Sequence, residues 1–127
     1  MIQTIKKKKS FQQIYKSGRR YFSKNLLAIY ANYEDINYET KENKEKDILQ
    51  KGILEKAYSI IVSKKISNKA VERNKIKRRI KEIIKLNVDE FPERKIILFF
   101  PKLSTVNMKF SELQNEIFHI YREITKK

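Results

Sequence analysis

Residues 73–81 read Arg-Asn-Lys-Ile-Lys-Arg-Arg-Ile-Lys, and this density of cations is where the chain could first do chemistry. Positive charge crowded onto one surface binds polyanions, because it releases the counterions condensed on a phosphate backbone and offers that backbone hydrogen-bond donors. At about 100° per residue, Ile76, Ile80, Ile83 and Ile84 fall within one arc of a helix, the width of a core-facing stripe. Asn74, Lys77, Arg78, Lys81 and Lys85 fall on the opposite side, and Arg73, Lys75 and Arg79 flank the stripe. Eight bases and only two acids, Glu72 and Glu82, lie between Lys69 and Leu86. A solvated helix face normally mixes signs to gain i,i+4 pairs, whereas Lys77, Lys81 and Lys85 put like charges at that spacing, which is destabilising. Contact with nucleic acid accounts for the pattern better than solvation does. Just upstream, Ser63-Lys64-Lys65 leaves a strand and places two further donors beside the helix N-terminus, a favourable place for phosphate. A lysine pair alone is a weak signal.

Other residue types carry less. Phe11 and Tyr15 share one face of a short helix, and that spacing favours core packing. The alternative is a stacking platform for unpaired bases, kept open by Lys16, Arg19, Arg20 and Tyr21 nearby. His119, the only histidine, falls opposite the apolar stripe of its helix and is expected to be solvated. No Ser-His-Asp or Cys-His set has a convincing context. Asp89, Glu90 and Glu93 cluster around Pro92 without the convergence a two-metal nuclease needs. With Gly18 and Gly52 the only glycines, there is no glycine-rich phosphate loop. No catalytic residue and no metal ligand are therefore assigned, and any catalytic group is expected to belong to a partner.

The elements that must position these residues follow from periodicity. Ser10 and Gln13 form a capping-box pattern ahead of a short helix carrying Phe11, Ile14 and Tyr15 and closing at Gly18. Residues 26–33 alternate as a strand. Residues 34–57 are polar and mixed in charge, an exposed connection with room for a hairpin, a helix turn or one more strand. Residues 57–65 form a second strand rich in β-branched side chains. The basic helix follows, with Ser67 or Asn68 as N-cap. Residues 94–102 form a third strand whose unbroken apolar run implies burial on both faces, ended by Pro101. Phe110, Leu113, Ile117, Ile120, Tyr121 and Ile124 mark an amphipathic terminal helix. The order is α-β-β-α-β-α in a single domain spanning 1–127, of the α/β (α+β) class.

Composition agrees with a folded polyanion binder. The chain has 127 residues, 40% of them hydrophobic, with 30 Lys+Arg against 15 Asp+Glu for a net charge of +15. Seven of the acids lie between residues 34 and 57, which leaves twenty-five bases against eight acids elsewhere. No cysteine is present, so disulfides and thiolate metal sites are excluded. The longest apolar runs are far too short to span a bilayer, and no signal peptide is visible. A cytoplasmic protein without a membrane partner or a small-molecule substrate is expected.

The segments Phe11–Arg19, reading FQQIYKSGR, and Ser59–Glu82, reading SIIVSKKISNKAVERNKIKRRIKE, resemble the protein subunit of bacterial ribonuclease P, and the similarity continues through the third strand and terminal helix. The central signature is strand, Ser-Lys-Lys, turn, then Arg-Asn-x-Ile-Lys-Arg-x-Ile at the head of a helix. The resemblance implies a non-catalytic protein subunit of an endoribonuclease whose large RNA hydrolyses one phosphodiester to free the mature tRNA 5′ end. Ribonuclease P RNA and precursor tRNA are the implied partners, and Mg²⁺ bound mainly through the RNA is the implied cofactor. It further implies that Arg73, Asn74, Lys75, Lys77, Arg78 and Arg79, with Lys81 on the same face, meet the catalytic RNA. Phe11, Tyr15 and Tyr30, with Lys64 and Lys65, are implied to bind the single-stranded 5′ leader. The resemblance implies a two-layer α/β sandwich with a mixed sheet and a left-handed β-α-β crossover, whereas general topology rules favour a right-handed one. Three departures from the family pattern stand out: Lys75 in place of arginine, Tyr58-Ser59 in place of arginine-glycine, and Ser67 in place of glycine. A structural ribosomal RNA-binding protein of similar fold is the alternative.

Overall fold

The computed structural model of the chain describes residues 2–4, 8–32 and 56–126. Strand β1 (Ile2–Thr4) is followed by helix α1 (Lys8–Ser17), the hairpin of β2 (Arg19–Phe22) and β3 (Leu26–Asn32), and β4 (Lys56–Ile60). Helix α2 (Ala70–Leu86), strand β5 (Lys95–Pro101) and helix α3 (Phe110–Thr125) complete the chain. The expected α-β-β-α-β-α order is present, augmented by the short strands β1 and β2. Residues 34–55 of the acidic connection, with the extra strand or helix expected there, lie outside the described residues; Lys56 and Ala57 already belong to β4.

The sheet is mixed, in the order β1-β4-β5-β3-β2. β1, β4 and β5 run parallel, and β3 pairs antiparallel with both β5 and β2. Because side chains alternate across a strand, one sequence parity faces each side. Leu26, Ala28, Tyr30, Tyr58, Ile97 and Phe99 turn toward α2 and α3 and form the larger core. Ile29, Ala57, Ile96 and Leu98 turn the other way, against Ile14 of α1. β5 is thus covered on both faces, as its apolar run predicts.

The four isoleucines of the α2 stripe are fully buried, each contributing roughly 1.5–3 kcal/mol of apolar burial. At its C-terminus the Asn87 side chain donates to the Ile83 carbonyl (2.9 Å) and to Gln114 of α3 (3.1 Å), so the helix end is satisfied and tied to its neighbour. At its N-terminus the cap position is Lys69, not Ser67 or Asn68. Ser67 still acts there: its buried hydroxyl accepts the Lys69 N–H (3.1 Å) and donates to Glu72 (2.6 Å). Helix α1 begins at Lys8, two residues before the expected cap Ser10, and ends as predicted at Gly18, whose N–H bonds Ile14 O at 2.7 Å. A Cβ at Gly18 would stand 2.6 Å from Ile14 O, 2.9 Å from Ile29 Cγ2 and 3.0 Å from Tyr30 O, so only glycine lets α1 turn this tightly into β2.

Candidate nucleic-acid interface

Phe11 and Tyr15 are not in the main core. They stack with ring centroids 6.3 Å apart on the side of α1 that overhangs the sheet, where Phe100 meets them edge-on to Phe11 (6.5 Å) and tilted to Tyr15 (6.0 Å). Arg20 folds back over the Tyr15 ring at 5.0 Å and donates to the Tyr15 carbonyl at 3.2 Å, a cation–π contact that leaves positive charge beside the aromatic wall. Ile14, fully buried, anchors the helix, while Tyr15 remains 46% exposed. These adjacent residues thus do different work: Ile14 seats α1 on the sheet, and Tyr15 presents its ring to solvent.

Tyr30 does not join them. It is buried on the opposite face of the sheet with Ala28 and Leu26, and Ile29 holds the place beside α1. A one-residue change of register exchanges the faces of a strand, which is why spacing alone misassigns this tyrosine. Phe100 was hidden to sequence reasoning for a related reason: in an unbroken apolar strand, parity cannot be read. Its place at the strand end, with Phe99 taken into the main core, was the available signal.

The basic surface divides into two groups. Asn74, Lys75, Lys77, Arg78 and Lys81 are exposed along the outer face of α2. Arg73 and Arg79 are half-buried and point inward. Arg73 donates to the Ser67 carbonyl (2.8 Å), closing the turn before the helix. Arg79 donates to the carbonyls of Thr105 (2.8 Å), Val106 (3.0 Å) and Met108, capturing the one-turn segment between β5 and α3. Its position on the flank of the stripe is consistent with this role, but its partners lie 26–29 residues away in sequence, beyond the reach of helical spacing. Arg73 and Arg79, both implied by the resemblance to meet RNA, are here engaged with backbone carbonyls of the chain itself.

Lys64 and Lys65 are exposed in a turn closed by the Ile66 N–H to Ser63 carbonyl bond (3.1 Å). Parallel pairing brings the C-terminal ends of β4 and β5 to the same edge of the sheet. The Lys64-Lys65 turn, the N-terminus of α2 and Phe100 therefore all emerge at that end of the sheet, with α2 on one face and the aromatic cleft on the other.

The β2–β3 turn at this edge is fixed from α3. The Glu116 carboxylate accepts hydrogen bonds from the Ser23 hydroxyl, the Asn25 N–H (2.7 Å) and the Asn25 side chain (2.7 Å). Burial acts to raise its pKa, but these donors, with Lys24 nearby, hold it below the ordinary 4.5. His119 is exposed as expected, and its Nε2 shares a 3.1 Å hydrogen bond with the Tyr21 hydroxyl. Burial first, then Tyr58 and Glu90, push the Tyr121 phenol above its usual range, so it stays neutral in the core. Asp89, Glu90 and Glu93 are exposed, and among the described residues no three His, Cys, Asp or Glu side chains converge to hold a metal ion. No helix among them is long and apolar enough to cross a membrane.

Comparison with known proteins places this geometry in context. The family model described as Ribonuclease P matches residues 2–125. The ribonuclease P protein component of Finegoldia magna is 27% identical over 123 residues, covering 97% of this chain and 91% of that protein. That of Rickettsia canadensis is 32% identical over 123 residues, covering 94% of each. The Staphylococcus aureus RNase P protein structure superposes with a TM-score of 0.69 at 29% identity, covering 95% of this chain and 94% of that one. These relationships do not favour the ribosomal alternative.

Proposed function

Because the chain belongs to the ribonuclease P protein family, we propose that it binds the catalytic RNA of ribonuclease P through α2 and the 5′ leader of precursor tRNA through the cleft between α1 and the sheet. The observation that carries this reading is the Phe11–Tyr15–Phe100 cluster, open to solvent under Arg20 at the end of the sheet from which the Lys64-Lys65 turn also emerges. Aromatic faces bind unpaired bases irrespective of sequence, and neighbouring cations track the backbone. A leader of variable sequence needs that kind of recognition.

Asn74, Lys75, Lys77, Arg78 and Lys81 would contact the catalytic RNA, with Lys64 and Lys65 reaching phosphates of the leader at the shared end of the sheet. Lys75 offers a point charge in place of a planar fork, so its contact is ionic and not bidentate. Arg73 and Arg79 shape the helix and the segment behind it. Among the described residues no three His, Cys, Asp or Glu side chains converge to hold a metal ion. Mg²⁺, held mainly by the RNA, would supply the hydrolytic chemistry. The protein's part is to bring two polyanions together and hold the leader, lowering the Mg²⁺ needed to offset their repulsion. The cytoplasm is the compartment in which this reading places the chain.

The test is equilibrium binding of precursor and mature tRNA by the chain assembled with a bacterial ribonuclease P RNA. Tyr15→Ala, which leaves the Ile14 anchor intact, should lower affinity for the precursor and spare mature tRNA. Equal loss for both would remove Tyr15 from the leader site.

A further inference from the structure

Phe22 is 72% exposed, yet it is not on a loose end. The Ser23 N–H bonds the Leu26 carbonyl (2.8 Å), Glu116 holds Ser23 and Asn25, and the Lys102 N–H bonds the Asn25 carbonyl (2.9 Å). The ring is therefore displayed on a braced turn, where binding a ligand costs little ordering. The sheet register sets its direction. Phe22 pairs with Leu27, and Leu27 pairs with Phe100, giving one cross-strand row on the α1 side of the sheet. Arg20, two residues earlier on β2 and so on the same face, is the residue that covers Tyr15. With strands about 4.8 Å apart, Phe22 lies roughly 10 Å from Phe100 by backbone spacing, across half-buried Leu27.

We infer that Phe22 is a further stacking position for an unpaired nucleotide of the RNA leader, carrying the path from the α1 cleft across β3 to the edge strand β2. The occupant follows from the surroundings. Exposed Arg20, Lys24 and Lys102 rim the row, and Glu116, the acid bound to this turn, is occupied by Ser23 and Asn25. An apolar strip one ring wide in a cationic frame suits a base with its phosphate and lacks the apolar breadth of a protein interface core.

The inference rests on the leader-cleft reading, and its test separates the two. Precursor tRNAs with leaders graded in length from one nucleotide upward, and mature tRNA, are titrated with the chain assembled with a bacterial ribonuclease P RNA. Native protein, Phe22→Ala, Phe22→Tyr and Tyr15→Ala are compared. Phe22→Ala should reach its affinity plateau at a shorter leader, losing roughly 5- to 150-fold on long leaders with mature tRNA unaffected, and Phe22→Tyr should restore the native profile. A native length profile for Phe22→Ala, or a loss equal at every length, overturns the inference. If Tyr15→Ala then shows leader-dependent loss, the cleft reading stands without Phe22; if it shows none, both fall.

Discussion

Replacing Arg79 by alanine distinguishes an internal clamp from an RNA contact. The guanidinium donates to three carbonyls on the segment between β5 and α3, and Thr105 and Val106 in that segment are buried. A hydrogen bond from a charged donor contributes about 1.5–3 kcal/mol, and an orphaned buried carbonyl costs about 1–3 kcal/mol. The three losses are not additive, because the segment can relax and readmit water to the half-buried Met108 end. A net destabilisation of about 3 kcal/mol follows, which lowers the urea midpoint by roughly 1.5 M if m is about 2 kcal/mol/M. Arg78→Ala, on the exposed face one residue away, should change stability by less than about 0.5 kcal/mol. It should instead flatten the salt dependence of RNA binding by about 0.7–0.9 in log–log slope, one phosphate contact. Urea melts and salt titrations of both variants decide the matter. An Arg79→Ala protein as stable as the native one, with one phosphate lost from its salt slope, would refute the inward assignment.

Other residues give equally direct expectations. The Glu116 pKa is depressed on folding, so its stabilisation is present above pH 4.5 and is lost as pH falls through the lower folded value. Native protein should therefore lose stability in that acid window more steeply than Glu116→Gln, and parallel curves would contradict the hydrogen-bond assignment. Gly18→Ala drives a methyl against two carbonyl oxygens and Ile29 and should cost about 1–3 kcal/mol in a urea melt. A neutral result would show that α1 can lift from β3.

The larger elements were legible because their signals are periodic and redundant. The isoleucine stripe of α2, the apolar run of β5 and the spacing along α3 each point to one structure, and the residues they single out are buried except half-buried Phe100 and exposed Phe110. What escaped depends on partners distant in sequence. Arg19–Phe22 is four residues long, too short to show alternation, and becomes a strand only by pairing with β3. Ile2–Thr4 is shorter still and is defined by its parallel partner β4. The basic face of α2 was readable as a surface, but its division into outward Arg78 and inward Arg79 required the carbonyls at 105–108. At the cleft, Phe11 and Tyr15 were visible, while the exchange of Tyr30 for Ile29 and the arrival of Phe100 depend on register, which is set between strands.

The central claim is tested most directly by reconstitution. A bacterial ribonuclease P RNA is assayed for precursor tRNA cleavage at low Mg²⁺, with and without the purified chain, and the chain is assayed alone. The account predicts that the chain restores cleavage at the mature 5′ end and cuts no precursor by itself. Failure to stimulate any such RNA, or RNA-free cleavage at that position lost in Asp89→Ala, would contradict it.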